Sequence, residues 1–127
     1  MNPQLAIYKT FIEGLVEQRT GVLGQWIRTK GWPDLPENRE LNELLLRLTP
    51  NEKELIARIA QQARDGGIHD ALVFLNERVN LKGLRITENG VEMAVEPYGT
   101  ELFWDWVARC AGQEWPEHQL EERYKSL

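Results

Sequence analysis

The stretch from residue 49 to residue 79 limits what this chain can fold into more than any other. "TPNEKELIARIAQQARDGGIHDALVFLNERV" carries two runs of apolar residues at helical spacing, with a pair of glycines between them. Thr49 can accept a hydrogen bond from the backbone N–H of Glu52, and Pro50 fills the first helical position, where no donor is wanted. Glu52 can reach back to complete a capping box. The first run then offers Leu55, Ile56, Ile59, Ala60 and Ala63 as a face. The second offers Ile68, Leu72, Leu75 and Val79, at intervals of four, three and four. Gly66 is placed to take the left-handed conformation that ends a helix, and Asp70 lies where the start of a new one favours a carboxylate. The expectation is a helical hairpin with Gly66 and Gly67 as its tight turn.

The flanking segments read in the same terms. Leu5, Tyr8, Ile12, Leu15 and Val16 predict a helix from about residue 3 to 18. Val22, Leu23, Trp26 and Ile27 predict a second, shorter helix, which should stop near Gly31 because "GWPDLPEN" holds two prolines. Leu41, Leu44, Leu45 and Leu48 mark a third. "GLRITENGVEMAVEP" changes to a period of two, with Asn89-Gly90 as a two-residue hairpin turn. Closing that turn pairs Glu88 with Val91, Thr87 with Glu92, Ile86 with Met93, Arg85 with Ala94 and Leu84 with Val95. Leu84, Ile86, Val91, Met93 and Val95 then share one side, and Arg85, Thr87 and Glu92 the other. A lone hairpin is marginal in water, so its apolar side must lie on helices.

Pro97 and Gly99 end the second strand, Thr100 can cap a last long helix bearing Phe103, Trp106, Val107 and Cys110, and Gly112 closes it. Residues 113–127 form a polar tail, anchored by Trp115 and Leu120 and compatible with one more short helix. The expected fold class is α+β, mainly α: a single compact domain, 1–127, of about six helices with one antiparallel hairpin (about 83–96) packed on them.

Composition removes several function classes. A chain of 127 residues suits one domain, and 42% hydrophobic with 28% charged content describes a globule, not a disordered tail. One cysteine, Cys110, cannot form an internal disulfide or a multi-cysteine zinc site, which fits a reducing compartment. No stretch approaches the eighteen consecutive apolar residues of a membrane span, and "MNPQLAIYKTFIEGL" lacks the pattern of a signal peptide. A cytoplasmic address with no membrane contact is expected. The net charge of −5 counts against nucleic acid, whose phosphates are held by clustered Lys and Arg.

Catalytic constellations are thin. His69 and Asp70 invite comparison with metal-dependent phosphohydrolases that carry a His-Asp dipeptide. Those sites also need an upstream histidine, and none precedes His69. His118 is the only other histidine, so a metal-dependent hydrolase centred on His69, Asp70 and His118, with Glu77 or Glu114 as a further ligand, is the alternative function. A phosphate cradle at Gly66-Gly67 would have acids on both sides of the turn, which repel an anion. Ser126 is the only serine and Cys110 lies on a core face, so no nucleophilic triad is available. No catalytic residue and no cofactor is assigned.

Five tryptophans are the most unusual feature: Trp26, Trp32, Trp104, Trp106 and Trp115. Trp26 and Trp106 fall on core faces. Trp32 and Trp115 lie in "GWP" and "EWP" segments, and Trp104 points away from Trp106 on its helix, so these three either cover the core or anchor a partner. The preferred function is a non-catalytic interaction or regulatory protein, an adaptor or immunity-like factor acting as a monomer or homodimer. Trp32, Trp115 and Trp104 would be buried by a protein partner with Tyr98 at the rim, and Glu114 and Glu117 would steer a basic surface.

Two resemblances bear on this. "LTPNEKELIARIA" resembles the opening of the helix-turn-helix output domains of bacterial response regulators, which implies DNA binding as a third function. "DGGIHDALVFLNE" lacks the Lys, Arg, Ser or Thr of a helix that enters DNA. "DGGIHDALVFLN", "NGVEMAVEPYGTELFWDW" and "GQEWPE" together resemble a small bacterial family of uncharacterised proteins. That resemblance implies a bacterial cytoplasmic origin and carries no activity onto individual residues.

Overall fold

The computed structural model describes residues 2–121. Its elements are α1 (Pro3–Glu17), α2 (Val22–Arg28), a 3-10 turn (Pro36–Asn38), α3 (Arg39–Leu46), α4 (Pro50–Leu81), β1 (Thr87–Glu88), β2 (Val91–Glu92) and α5 (Leu102–Cys110). The protein is mainly helical with one two-stranded antiparallel hairpin. There are fewer α-helices than the six expected, because the two runs on either side of the glycine pair form the single helix α4. Gly66 and Gly67 do not adopt positive φ. The turn that both the helical hairpin and the helix-turn-helix reading require after residue 65 is not formed. Spacing explains this: Ala57 and Ile68 are eleven residues apart, about three turns of a 3.6-residue helix, so the apolar patterns before and after the glycines are compatible with one continuous helix.

The chain resolves into two compact units, residues 18–67 and residues 1–17 with 68–127. In the unit formed by 18–67, the core is Ile27, Leu45 and Ala57, with Trp32, Leu48, Ile56 and Ala60 packed against it. The start of α4 has the expected capping box: Glu52 N–H donates to Thr49 Oγ1 at 3.1 Å and Thr49 N–H donates to Glu52 Oε1 at 2.9 Å. These bonds hold the Glu52 carboxyl below its ordinary range. The expected apolar face of this part of α4 is rotated, since Ala57 is buried while Leu55 and Ile59 are exposed. Val22 and Leu23 are exposed as well, leaving Ile27 as the buried residue of α2. Gly31, at φ +87°, turns the chain after α2, and Asn42 clasps the next residue by accepting from Trp32 N–H (2.8 Å) and donating to Trp32 O (3.1 Å).

In the other unit, α1 is capped by Asn2, whose Oδ1 accepts from Leu5 N–H at 2.7 Å, with Pro3 at the first helical position. Leu5, Tyr8 and Ile12 of α1 join Leu72, Met93, Tyr98, Leu102 and Trp106 in the core. Tyr8 and Ile12 are completely buried, and full burial of an aliphatic side chain such as Ile12 stabilises by about 1.5–3 kcal/mol. The hairpin has the expected register, Thr87 with Glu92 and Glu88 with Val91, and Met93 N–H donates to Ile86 O at 2.8 Å. Asn89 and Gly90 both take positive φ. On its polar side Arg85 pairs with Glu92 at 2.8 Å. The ladder stops short of Leu84 and Val95, which are exposed, because Gly83 at φ +79° turns the chain so that Leu84 N–H is spent on Arg78 O at 3.0 Å. Leu120 N–H donates to Pro97 O at 2.8 Å, so the expected tail anchor is in place. The short helix allowed for in the tail lies largely beyond the described residues.

Candidate functional site

The end of the chain from Tyr98 to Pro116 builds the candidate site around α5. Helical spacing sends Leu102, Asp105 and Trp106 inward and leaves Trp104 (61% exposed) and Val107 (48%) outward, three residues apart on one ridge. An aspartate on a buried face demands partners, and it finds two hydroxyls. Tyr8 from α1 donates to Asp105 Oδ2 and Thr100 donates to Asp105 Oδ1. Gly99, at φ +78°, makes the turn that places Tyr98 in the core and Thr100 beside the carboxylate. The hydroxyl expected to cap α5 is therefore used by Asp105 instead, and Glu101 occupies the cap position without a side-chain bond. Burial raises the Asp105 carboxyl above its ordinary value of 3.8, with the Thr100 and Tyr8 bonds opposing the shift. Burial, aided by the bond to Asp105, raises the Tyr8 phenol too. Among the described residues the ion pairs leave Asp105 without a cation.

After α5 the chain turns at Gly112 (φ +79°), and Arg109 donates to Gln113 O. Trp115 then sits edge-on to Tyr8 (ring centroids 6.1 Å apart) and tilted against Tyr98 (5.7 Å). Its indole N–H donates to Glu13 Oε1 at 2.9 Å, the same oxygen that pairs with Arg109 Nε. Lys9 Nζ and the Arg109 guanidinium each lie 5.5 Å from a Trp115 ring centroid, a cation–π distance. Tyr98, Thr100, Trp104, Asp105, Arg109 and Trp115 line a cavity of about 170 Å³, with Glu114 also in its wall.

The structure disperses the residues singled out from sequence. Trp32 packs at 6.5 Å from Trp26 in the unit formed by 18–67, whereas Trp104 and Trp115 share the cavity wall. Tyr98, expected at a rim, is buried at 4% exposure. Glu114 and Glu117 are exposed. His69 lies edge-on to Phe103 with ring centroids 5.4 Å apart, and its Nδ1 is 3.9 Å from Asp70 Oδ1. Among the described residues, which include His118, no three His, Cys, Asp or Glu side chains converge in a way that could hold a metal ion. Likewise no helix among them is long and apolar enough to cross a membrane. Sequence reasoning missed Asp105, Tyr8, Thr100 and Arg109. The signal for Asp105 was present in "LFWDW", where an acid shares the inward face with Leu102 and Trp106.

Comparison with curated proteins and with solved structures finds no match. A family of unknown function, DUF6547, matches residues 1–117, and the chain belongs to that family.

Proposed function

We propose that this chain is a non-catalytic interaction or regulatory protein of the bacterial cytoplasm, adaptor-like or immunity-like, that docks a basic protein partner through α5. One observation carries the reading: Trp104 is exposed beside a cavity whose buried carboxylate, Asp105, has no cation among the described residues. Exposed tryptophan is the residue type most enriched among interface hot spots, and Val107 extends the apolar ridge. The acids Asp105 and Glu114 in the cavity wall, together with a net charge of −5, favour a basic partner and faster encounter with it. Trp32 and Trp115 have a different part in this reading, since both are packed on other aromatic rings and keep the segment around them rigid.

The test compares the wild-type chain with Trp104→Ala as bait in extract from its own host. A basic protein retained by the wild type, released by salt and lost from Trp104→Ala is the expected result. A hot-spot tryptophan contributes about 2 kcal/mol or more, roughly thirtyfold in affinity. Identical sets of retained proteins from two equally folded baits would refute the reading.

A further inference from the structure

We propose that the cavity beside Trp104 and Trp115 receives the ammonium group of a lysine side chain from the partner, a step that rests on the interaction reading above. The argument begins with Asp105. A buried carboxylate without a cation is costly, and two neutral hydroxyl donors satisfy only part of its capacity to accept hydrogen bonds. Because each oxygen already accepts one of those bonds, the site does not offer the free, parallel pair of oxygens that a guanidinium fork matches. A compact ammonium with three freely rotating donors suits what remains.

The other walls point the same way. Arg109, the one cation in the lining among the described residues, is neutralised by Glu13, and Glu114 adds a second carboxylate. Trp104, Trp115 and Tyr98 supply aromatic surface, and Trp115 already attracts the chain's own cations, Lys9 and Arg109. A carboxylate with aromatic walls is the chemistry that recognises an alkylammonium: the methylenes lie on the rings while the charge reaches the acid. Size limits the guest. A cavity of about 170 Å³ is below the roughly 300–1,000 Å³ of sites for drug-sized ligands and suits a single side chain.

The experiment titrates the full chain with N-acetyl-lysine amide, n-butylammonium, N-acetyl-arginine amide and 1-butanol, following the indole N–H resonances of Trp104 and Trp115. Saturable binding of the lysine amide is expected, tighter than that of n-butylammonium or the arginine amide, with no binding of the neutral alcohol. Asp105→Asn, shown to be folded by its cooperative melt, should weaken the lysine amide about tenfold or more. Should the variant fail to fold, the contrast between ammonium and alcohol on the wild type decides alone. No saturation by the lysine amide, or equal binding of 1-butanol, overturns the proposal. Tighter binding of n-butylammonium than of the lysine amide overturns the assignment to a protein side chain in favour of a free alkylamine. If lysine binding fails while a Trp104-dependent partner is still captured, only this inference falls. If lysine binds and no such partner exists, the interaction reading falls and takes with it the assignment of the lysine to a partner, leaving only an alkylammonium site.

Discussion

Replacing Gly66 and Gly67 together by alanine is expected to stabilise the protein by about 2 kcal/mol. Both glycines lie inside α4 and are exposed, and a Cβ built on either meets no atom within 4 Å outside the helix's own backbone. Neither has positive φ, so alanine can adopt the native backbone without strain. Glycine in a helix interior costs about 0.8–1.0 kcal/mol relative to alanine, largely through the backbone freedom that folding removes. Neither added methyl group meets a neighbouring side chain, so the increments are expected to sum to about 2 kcal/mol, which the double variant checks against the two single ones. For a chain of 127 residues, about 2 kcal/mol corresponds to a rise in Tm of roughly 8 °C. Urea unfolding of the wild type, both single variants and the double variant, followed by circular dichroism and by tryptophan fluorescence, measures the increments. It also tests whether the probes report one transition. A loss of stability in either single variant would refute the argument, because it would mean that the pair forms a turn or admits a close neighbour that a methyl group displaces.

Gly31→Ala should act in the opposite sense. Its Cβ would lie 2.3 Å from Asn42 Oδ1 at a φ of +87°, so a loss of about 2 kcal/mol or more is expected in the same unfolding assay. Two aspartates should show opposite pH dependence. The Asp65 carboxyl is held below its ordinary value by the bidentate bonds from Arg19. The stability it contributes is therefore present above the unfolded-state value and is lost as pH falls through the lowered folded value. In urea titrations at several pH values, the deficit of Asp65→Asn relative to wild type should shrink on acidification. Asp105 is raised by burial, so its folded form binds a proton more tightly than its unfolded form. Stability should fall as pH climbs from 3.8 through the raised folded value, and Asp105→Asn should remove that decline.

The capping box and the hairpin register were both legible in the sequence, because each depends on residues close together in the chain. Thr49, Pro50 and Glu52 determine their own geometry, and Asn89-Gly90 determines which residue faces which. The glycine pair was misread for a physical reason: local propensity favours a break there, but the apolar spacing before and after it is compatible with one continuous helix, and burial of side chains such as Leu72 and Val79 outweighs about 2 kcal/mol of propensity. The rotation of α4 toward Ala57 was not legible. Ranking side chains by size places Leu55 and Ile59 inward, whereas the core of that unit seats Ile27 and Leu45 against a small residue. The site depends on long separations, with Tyr8 meeting Asp105 and Glu13 meeting both Arg109 and Trp115. No pattern along the chain announces such pairs, although the acid within "LFWDW" marks where to look.

The cap of α5 comes from Asn76 of α4, whose Oδ1 accepts the N–H of Leu102 at 3.0 Å across 26 positions of sequence. A helix of nine residues is too short to persist alone in water, and this one has no cap of its own. It therefore depends on the rest of the fold, on α4 for its cap and on the core that takes up Leu102 and Trp106. In kinetic terms, Asn76→Ala should mainly speed unfolding and hardly alter the folding rate, the signature of a contact made after the rate-limiting step. In that case the first turn of the helix that carries Trp104 and Asp105 would be completed only after the rate-limiting step.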